Sequence, residues 1–217
     1  MNTLGINCAC RVTNVGVALN GVAAGERNIE LGRRQSAELP LITAELLKEV
    51  CVPLSTINLI AVGAGPGYYT GIRAGIAYGA ALAEALRVPV VPLSSLQIYI
   101  WDIRNGTSPL MPIFRAKRLH CYAALYTGNG EQIIAPAFMS KDNILQILEK
   151  YSDARIVTPD ADKYEWLRTC GHEVIERAGA SGATCALMGE QFASSARSPR
   201  EIRGEYLHAP DIGPTSE

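Results

Sequence analysis

The stretch GAGPGYYTGIRAGIAYGAALAEAL, Gly63 to Leu86, holds the residue types and spacing that come nearest to a chemical site. A glycine-rich turn that opens a helix can hold phosphate on its free amides. The Walker arrangement needs a Lys to reach the terminal phosphates, and the sequence read from Gly65 or Gly67 supplies none. The dinucleotide pattern fails at Tyr68, where its third Gly would stand. What remains is a helix start able to attract an anion, a weak signal that every such turn shares.

Other chemistries find less. His120, His172 and His208 are isolated, with no H-x-x-x-H spacing for a metal. The six cysteines, at 8, 10, 51, 121, 170 and 185, form no C-x-x-C pair, so structural thiols are expected. Cys8 and Cys10 should share a strand face with Leu4 and Ile6, because strand side chains alternate. Ser94 and Ser95 lack a G-x-S-x-G elbow, and Ser94 is expected to cap a helix. His120 and Cys121 are adjacent in a strand pattern and so point to opposite faces.

The helix after the turn carries a different signal. Gly71, Gly75, Gly79 and Ala83 recur every four residues and form one bare ridge. Gly75 and Gly79 together cost roughly 2 kcal/mol relative to Ala, which close packing must offset. The ridge faces either this chain's own sheet or another molecule, and spacing does not choose between them. Arg73 in the first turn, where the macrodipole disfavours a cation, and the rings of Tyr68, Tyr69 and Tyr78 lean toward an interface.

The surrounding elements read as α/β. Residues 3–9 and 14–20 alternate as strands before an NG turn, and GERNIELG supplies a third. Ser36 then precedes an amphipathic helix in which Leu39, Ile42 and Leu46 recur at helical spacing. INLIAVGA and VPVVPL are buried strands on either side of the glycine helix. RNGTSP, 104–109, reads as a linker, dividing the chain into 1–103, 104–200 and a tail at 201–217 whose end is expected to be mobile. Beyond it come strands around a GNG turn, an amphipathic helix in KDNILQILEKY, a strand in ARIVTP, a helix in ADKYEWLRTC and a small-residue helix over 183–197. No sequence repeat is evident.

Composition bounds the function. The 217 residues carry a net charge of −1 with basic residues scattered, unlike a dedicated nucleic-acid surface. No window approaches a membrane span, and the first residues read as a strand with no basic leader, so a cytoplasmic protein is expected.

AVGAGPGYYTGIRAGIAYGAALAEALRVPVVPLSSL resembles the G-P-G-S-F-T-G-[IL]-R segment of the bacterial TsaB (YeaZ-type) family. These proteins are accessory subunits for threonylcarbamoyladenosine modification of tRNA. Weaker similarity extends over the first hairpin, RQSAELPLITAELL, RAKRLHCYAALY and a terminal EYL. The resemblance implies an α/β, two-lobed actin/hexokinase/heat-shock ATPase-like fold with a reduced second lobe. It also implies a non-catalytic subunit that pairs with a homologous catalytic subunit (TsaD-like), works beside an ATPase subunit (TsaE-like), and forms a homodimer when alone. Gly65, Pro66, Gly67, Thr70, Gly71, Ile72, Arg73 and Gly75 match motif positions.

The expected partner surface comprises Gly67, Gly71, Ile72, Arg73, Gly75, Ile76, Tyr78, Gly79 and Ala83, with Leu39, Ile42 and Leu46 of the preceding helix. Gly75→Arg should then abolish pairing and leave the monomer folded. No metal or cofactor of its own is expected, with ATP or ADP placed at the interface with the partner; direct tRNA contact stays open. The sequence departs from the family at Asn7, where the first strand usually has Asp, at Gln35 for His, and at Arg115 for an acidic residue, while Tyr68 and Tyr69 replace the S-F pair. The alternatives are an ATP-using enzyme of the same superfamily with another acceptor, and a stand-alone homodimeric binding protein.

Overall fold

The structure, a computed structural model, describes residues 1–117 and 120–208, apart from the side chain of Arg33. The order opens with β1 (Asn2–Asn7), β2 (Val12–Leu19) and β3 (Val22–Glu30), then α1 (Gln35–Glu49), β4 (Leu59–Gly65), α2 (Tyr69–Leu86) and β5 (Val90–Ser94). After α3 (Ser95–Ile100) come β6 (Leu110–Arg115), β7 (His120–Tyr126), β8 (Gln132–Ser140), α4 (Lys141–Lys150), β9 (Arg155–Thr158), β10 (Val174–Glu176) and α5 (Gly182–Gln191).

The strands form two five-stranded sheets, ordered β3-β2-β1-β4-β5 and β10-β9-β6-β7-β8. Reversed, the second order repeats the first, with two antiparallel pairings followed by two parallel ones in each sheet. The two sheets are therefore one topology used twice, a repeat with no trace in the sequence.

Alternation of side chains splits the first sheet between two cores. Leu4, Ile6, Val15, Val17, Ile60 and Val62 face α1 and α2, meeting Leu39, Ile42, Leu46 and Ala83. The opposite face, with Leu59 and Ala61, joins Leu96, Ile98 and Ile100 of α3, Cys185 and Met188 of α5, and Leu110, Phe114 and Val157 of the second sheet. A third cluster lies between the far face of the second sheet and α4. The expected boundary at 104 falls between the sheets, yet α5, which follows it in the chain, packs on the first. A Cβ built on Gly16 would stand 2.0 Å from the Gly182 carbonyl carbon, so the strand and helix backbones touch.

Several local expectations change. Ser36 lies inside α1, which begins at Gln35 after a 3-10 turn and places Pro40 in the second turn. Ser94 precedes α3 without capping it; its hydroxyl pairs with the Tyr126 hydroxyl at 3.3 Å. ADKYEWLRTC forms two 3-10 turns, Ala161–Lys163 and Glu165–Arg168, and β10 follows where no strand was expected. Cys10 leaves the face of Leu4 and Ile6: the chain turns after Asn7, which puts Cys8 in the α1/α2 core and Cys10 in the core between the sheets. Tail residues up to His208 lie on the body, and 209–217 fall outside the described residues.

Candidate functional site

β4 is buried throughout and ends at Gly65, which joins Pro66 through a cis peptide. Two amides of the turn are engaged within the chain. Gly65 N donates to Ser95 Oγ at 3.1 Å, and Tyr68 N donates to the Ala9 carbonyl at 2.8 Å. The loop after β1 thus covers the start of α2, and Ile72 N donates to the Tyr68 carbonyl at 2.9 Å to begin the helix. Burial, followed by the nearby Asp160, raises the Tyr68 phenol above its ordinary value.

The glycine ridge faces inward. A Cβ on Gly71 would come within 1.9 Å of the Cys8 carbonyl oxygen and one on Gly79 within 2.6 Å of Val62 Cγ2, whereas one on Gly75 would meet Cys8 Sγ at 3.4 Å. The ridge and the loop after β1 are complementary surfaces of the same chain. This corrects the expectation that the ridge receives a partner: Gly71, Ile72, Gly75, Gly79 and Ala83, with Leu39, Ile42 and Leu46, are buried among the first sheet's own residues. Of the remaining candidates, Arg73 is exposed, while Gly67, Ile76 and Tyr78 are half-buried. Gly75→Arg would drive a cation into this core.

What the two helices leave outside is the opposite row. Arg73, Ala77 and Ala81 of α2 are exposed, as are Ala37, Pro40, Leu41 and Ala44 of α1. Leu41 is 55% exposed, a large apolar side chain on the surface of α1. Between the helices runs a groove of ≈ 300 Å³ lined by Gln35, Ser36, Tyr69, Thr70, Arg73, Ala74 and Ala77. The signal that would have found this face is the four-residue repeat Arg73, Ala77, Ala81, half a helical turn from the ridge.

Three of the departures from the family pattern have specific settings. Asn7, fully buried at the end of β1, donates from Nδ2 to Asn14 Oδ1 at 3.2 Å and accepts from Ala9 N at 3.4 Å. Asn14 in turn donates to Asn28 Oδ1 at 2.9 Å and to the Ala180 carbonyl at 2.7 Å. Because these residues are register partners on β1, β2 and β3, they form an amide ladder across the sheet, whose direction is set by the donors. Gln35 Nε2 donates to Thr13 Oγ1 at 2.9 Å and to the Cys8 carbonyl at 3.4 Å, tying the start of α1 to the same loop. Arg115 is exposed, and its backbone N donates to Asp160 Oδ2 at 3.3 Å.

The ladder ends at α5. Asn28 Oδ1 accepts from Gly182 N at 3.1 Å, and Glu26 accepts from Ala183 N at 2.9 Å and from the Ser181 hydroxyl. Burial pushes the Glu26 carboxyl up, but the bonds from Ser181 and Ala183 outweigh it and hold the group below its ordinary value. Arg177 adds a bidentate pair to Asp102 at 2.7 and 2.8 Å, joining the end of β10 to the segment after α3.

The remaining candidates take local roles. His120 stacks on Phe138 at 4.5 Å, His208 reaches the same ring at 4.7 Å, and His172 Nδ1 lies 2.9 Å from the Ala154 carbonyl. Burial raises the Cys8 thiol to about 12, far from a reactive thiolate. Among the described residues no three His, Cys, Asp or Glu side chains gather as metal ligands, and no helix is long and apolar enough to cross a membrane.

Comparison with known proteins matches this arrangement to one group. The family profile "TsaD: tRNA N6-adenosine threonylcarbamoyltransferase" covers residues 30–196, more than half of the chain. The "tRNA threonylcarbamoyladenosine biosynthesis protein TsaB" of Bacillus subtilis is 31% identical over 108 residues, 48% of this chain and 47% of that protein. The chain spans about half or less of the curated relatives it matches first. YeaZ from Pseudomonas aeruginosa superposes with a TM-score of 0.79 at 21% identity, covering 95% of this chain and 99% of that one. The ROK hexokinase of Thermus thermophilus, TM-score 0.51 at 11% identity over 89% of this chain and 100% of that one, shares the two-lobed actin/hexokinase-type fold. The chain belongs to the family described by the profile "TsaD: tRNA N6-adenosine threonylcarbamoyltransferase", and it is similar to TsaB of Bacillus subtilis in sequence and to YeaZ in fold.

Proposed function

We propose that the chain is a non-catalytic accessory subunit that pairs with a homologous threonylcarbamoyl transferase subunit and supports formation of threonylcarbamoyladenosine on tRNA. The observation that carries this reading is the setting of Asn7. In an actin-like fold a carboxylate at the end of the first strand organises a metal-bound nucleotide, and here the position holds a neutral amide satisfied by Asn14 and Ala9. Its neighbours are built to receive a donor from it, not a cation.

The pairing surface is the exposed row Arg73, Ala77, Ala81 with Ala37, Pro40, Leu41 and Ala44. Small side chains let a second helical pair approach closely, and Leu41 supplies an apolar anchor. An adenine nucleotide in the assembly belongs at the interface with the partner, not in this chain's own cleft, and an ATPase subunit acts beside the pair. When no partner is present, the same face joins two copies of the chain. The work is done in the cytoplasm, where tRNA is modified.

The test is threonylcarbamoyladenosine formed on tRNA in a reconstituted reaction with the catalytic and ATPase subunits of the same source, with and without this chain. Product that requires the chain supports the reading. Equal product without it overturns the accessory role and moves the stand-alone homodimer ahead.

A further inference from the structure

The segment after α5 returns along the whole outer edge of the first lobe. Arg197 exchanges backbone hydrogen bonds with Val90, N to O at 2.8 Å and O to N at 3.0 Å. Ile202 is buried in the α1/α2 core. Glu205 N donates to the Ala64 carbonyl at 2.7 Å, near the end of β4. Tyr206 then lies on Tyr69 with ring centroids 5.0 Å apart, and His208 reaches Phe138 of β8 in the second lobe. Arg200 adds an ion pair with Glu84 of α2 at 2.7 Å, exposed and so of minor weight.

Two glycines are shaped to this path. Gly65 has φ 112°, and a Cβ there would stand 2.7 Å from the Glu205 carbonyl oxygen. A Cβ on Gly204 would stand 2.6 Å from the Tyr206 ring. The first glycine of the G-P-G turn therefore accommodates the returning chain.

We propose that residues 197–208 form a strap that orders the first turn of α2: with Tyr206 seated on Tyr69, the strap holds the ring over which Arg73 lies. The guanidinium carbon of Arg73 is 5.3 Å from the centre of the Tyr69 ring, and both residues line the groove between α1 and α2. The strap thus runs from the β5 edge to Tyr69, at the lining of that groove. Its effect on pairing rests on the function proposed above; its effect on α2 does not.

The experiment is amide hydrogen exchange on the full chain and on Tyr206→Ala and Tyr206→Phe. Tyr206 is 44% exposed, so its removal leaves the cores intact. In Tyr206→Ala the amides of Glu205 and Ile72 should exchange at least about ten-fold faster, with Val62 in β4 unchanged; Tyr206→Phe should behave as the wild type. Unchanged exchange at Glu205 would mean that Tyr206 does not seat the strap, and faster exchange at Glu205 with Ile72 unchanged would mean that the strap does not order α2. A matching rise at Val62 would make the effect one of whole-chain stability. Each of these overturns the proposal. Pairing with the catalytic subunit, measured in parallel, should weaken several-fold in Tyr206→Ala; failure of the wild type to pair would sink the accessory role and leave the exchange result standing.

Discussion

Gly75 of α2 stands against Cys8 with room for one carbon: a Cβ there would meet Cys8 Sγ at 3.4 Å and Cys8 Cβ at 3.5 Å, ordinary contact distances. Four residues earlier, the same construction at Gly71 collides with the Cys8 carbonyl oxygen at 1.9 Å. One ridge therefore holds a replaceable glycine and an obligatory one. Gly75→Ala should be neutral or stabilising by up to about 1 kcal/mol, because Ala is the better helix former. Gly71→Ala should cost at least about 2 kcal/mol, since backbone must move, and Gly75→Arg should unfold the chain. Thermal denaturation of the three variants checks the order; equal stability of Gly71→Ala and Gly75→Ala would show that the ridge is not packed as described.

Asn7→Asp would place a carboxylate in the amide ladder. It cannot donate to Asn14 Oδ1, and Asn14 cannot reverse without losing its bonds to Asn28 and Ala180. A loss of about 1–3 kcal/mol is expected where the acid is ionised, and a smaller one where it is protonated, since its O–H can then donate to Asn14 Oδ1. Burial raises a carboxyl in the folded state above its unfolded value, so the folded form binds more protons and the variant's stability should fall as pH rises. Urea denaturation of variant and wild type between acid and neutral pH measures this, and a pH-independent difference would argue against a buried, desolvated site.

Glu26 predicts the opposite sign. Its folded carboxyl is held below the ordinary value by Ser181 and Ala183, so its contribution is present above the unfolded value and is lost as pH falls through the folded one. Glu26→Gln should remove that part of the acid-side decline while lowering stability at neutral pH. Parallel pH–stability curves for the two proteins would contradict the role given to Glu26 at the start of α5.

Ala77→Arg on the exposed row should leave stability within about 0.5 kcal/mol, as surface substitutions usually do. Pairing with the catalytic subunit, followed by calorimetry or scattering mass, should be lost or fall more than ten-fold. Unchanged affinity would move the interface away from the outer face of α1 and α2.

Sequence period located the helices α1, α2 and α4, because each has one wet and one buried face, while the strands of the first hairpin, buried on both faces, were marked by their short β-like runs and the NG turn between β2 and β3. It could not say what the ridge Gly71, Gly75 and Gly79 touches: absence of side chains marks close approach without naming the surface approached. The expected partner face was consequently the buried one, and the exposed Ala77 and Ala81 drew no notice since alanine favours a helix everywhere. Spacing was also misleading in ADKYEWLRTC, where Tyr164 between two 3-10 turns and Leu167 in the second, three residues apart, join the third core. Asn7 was recognised as a departure, but its setting was not legible, because the ladder joins three strands and a helix from the far end of the chain.

The repeated strand order has one unequal term. In the first sheet α2 spans the crossing from β4 to β5, and in the second the equivalent crossing from β9 to β10 is made by two short 3-10 turns. Each chain consequently owns a single long helix of this kind. A contact that uses that helix on both molecules exhausts it, so assembly through it closes at two partners, whereas a filament needs two different faces on every subunit. Under the pairing proposed above, the shortened second crossing therefore limits assembly through α2 to a pair.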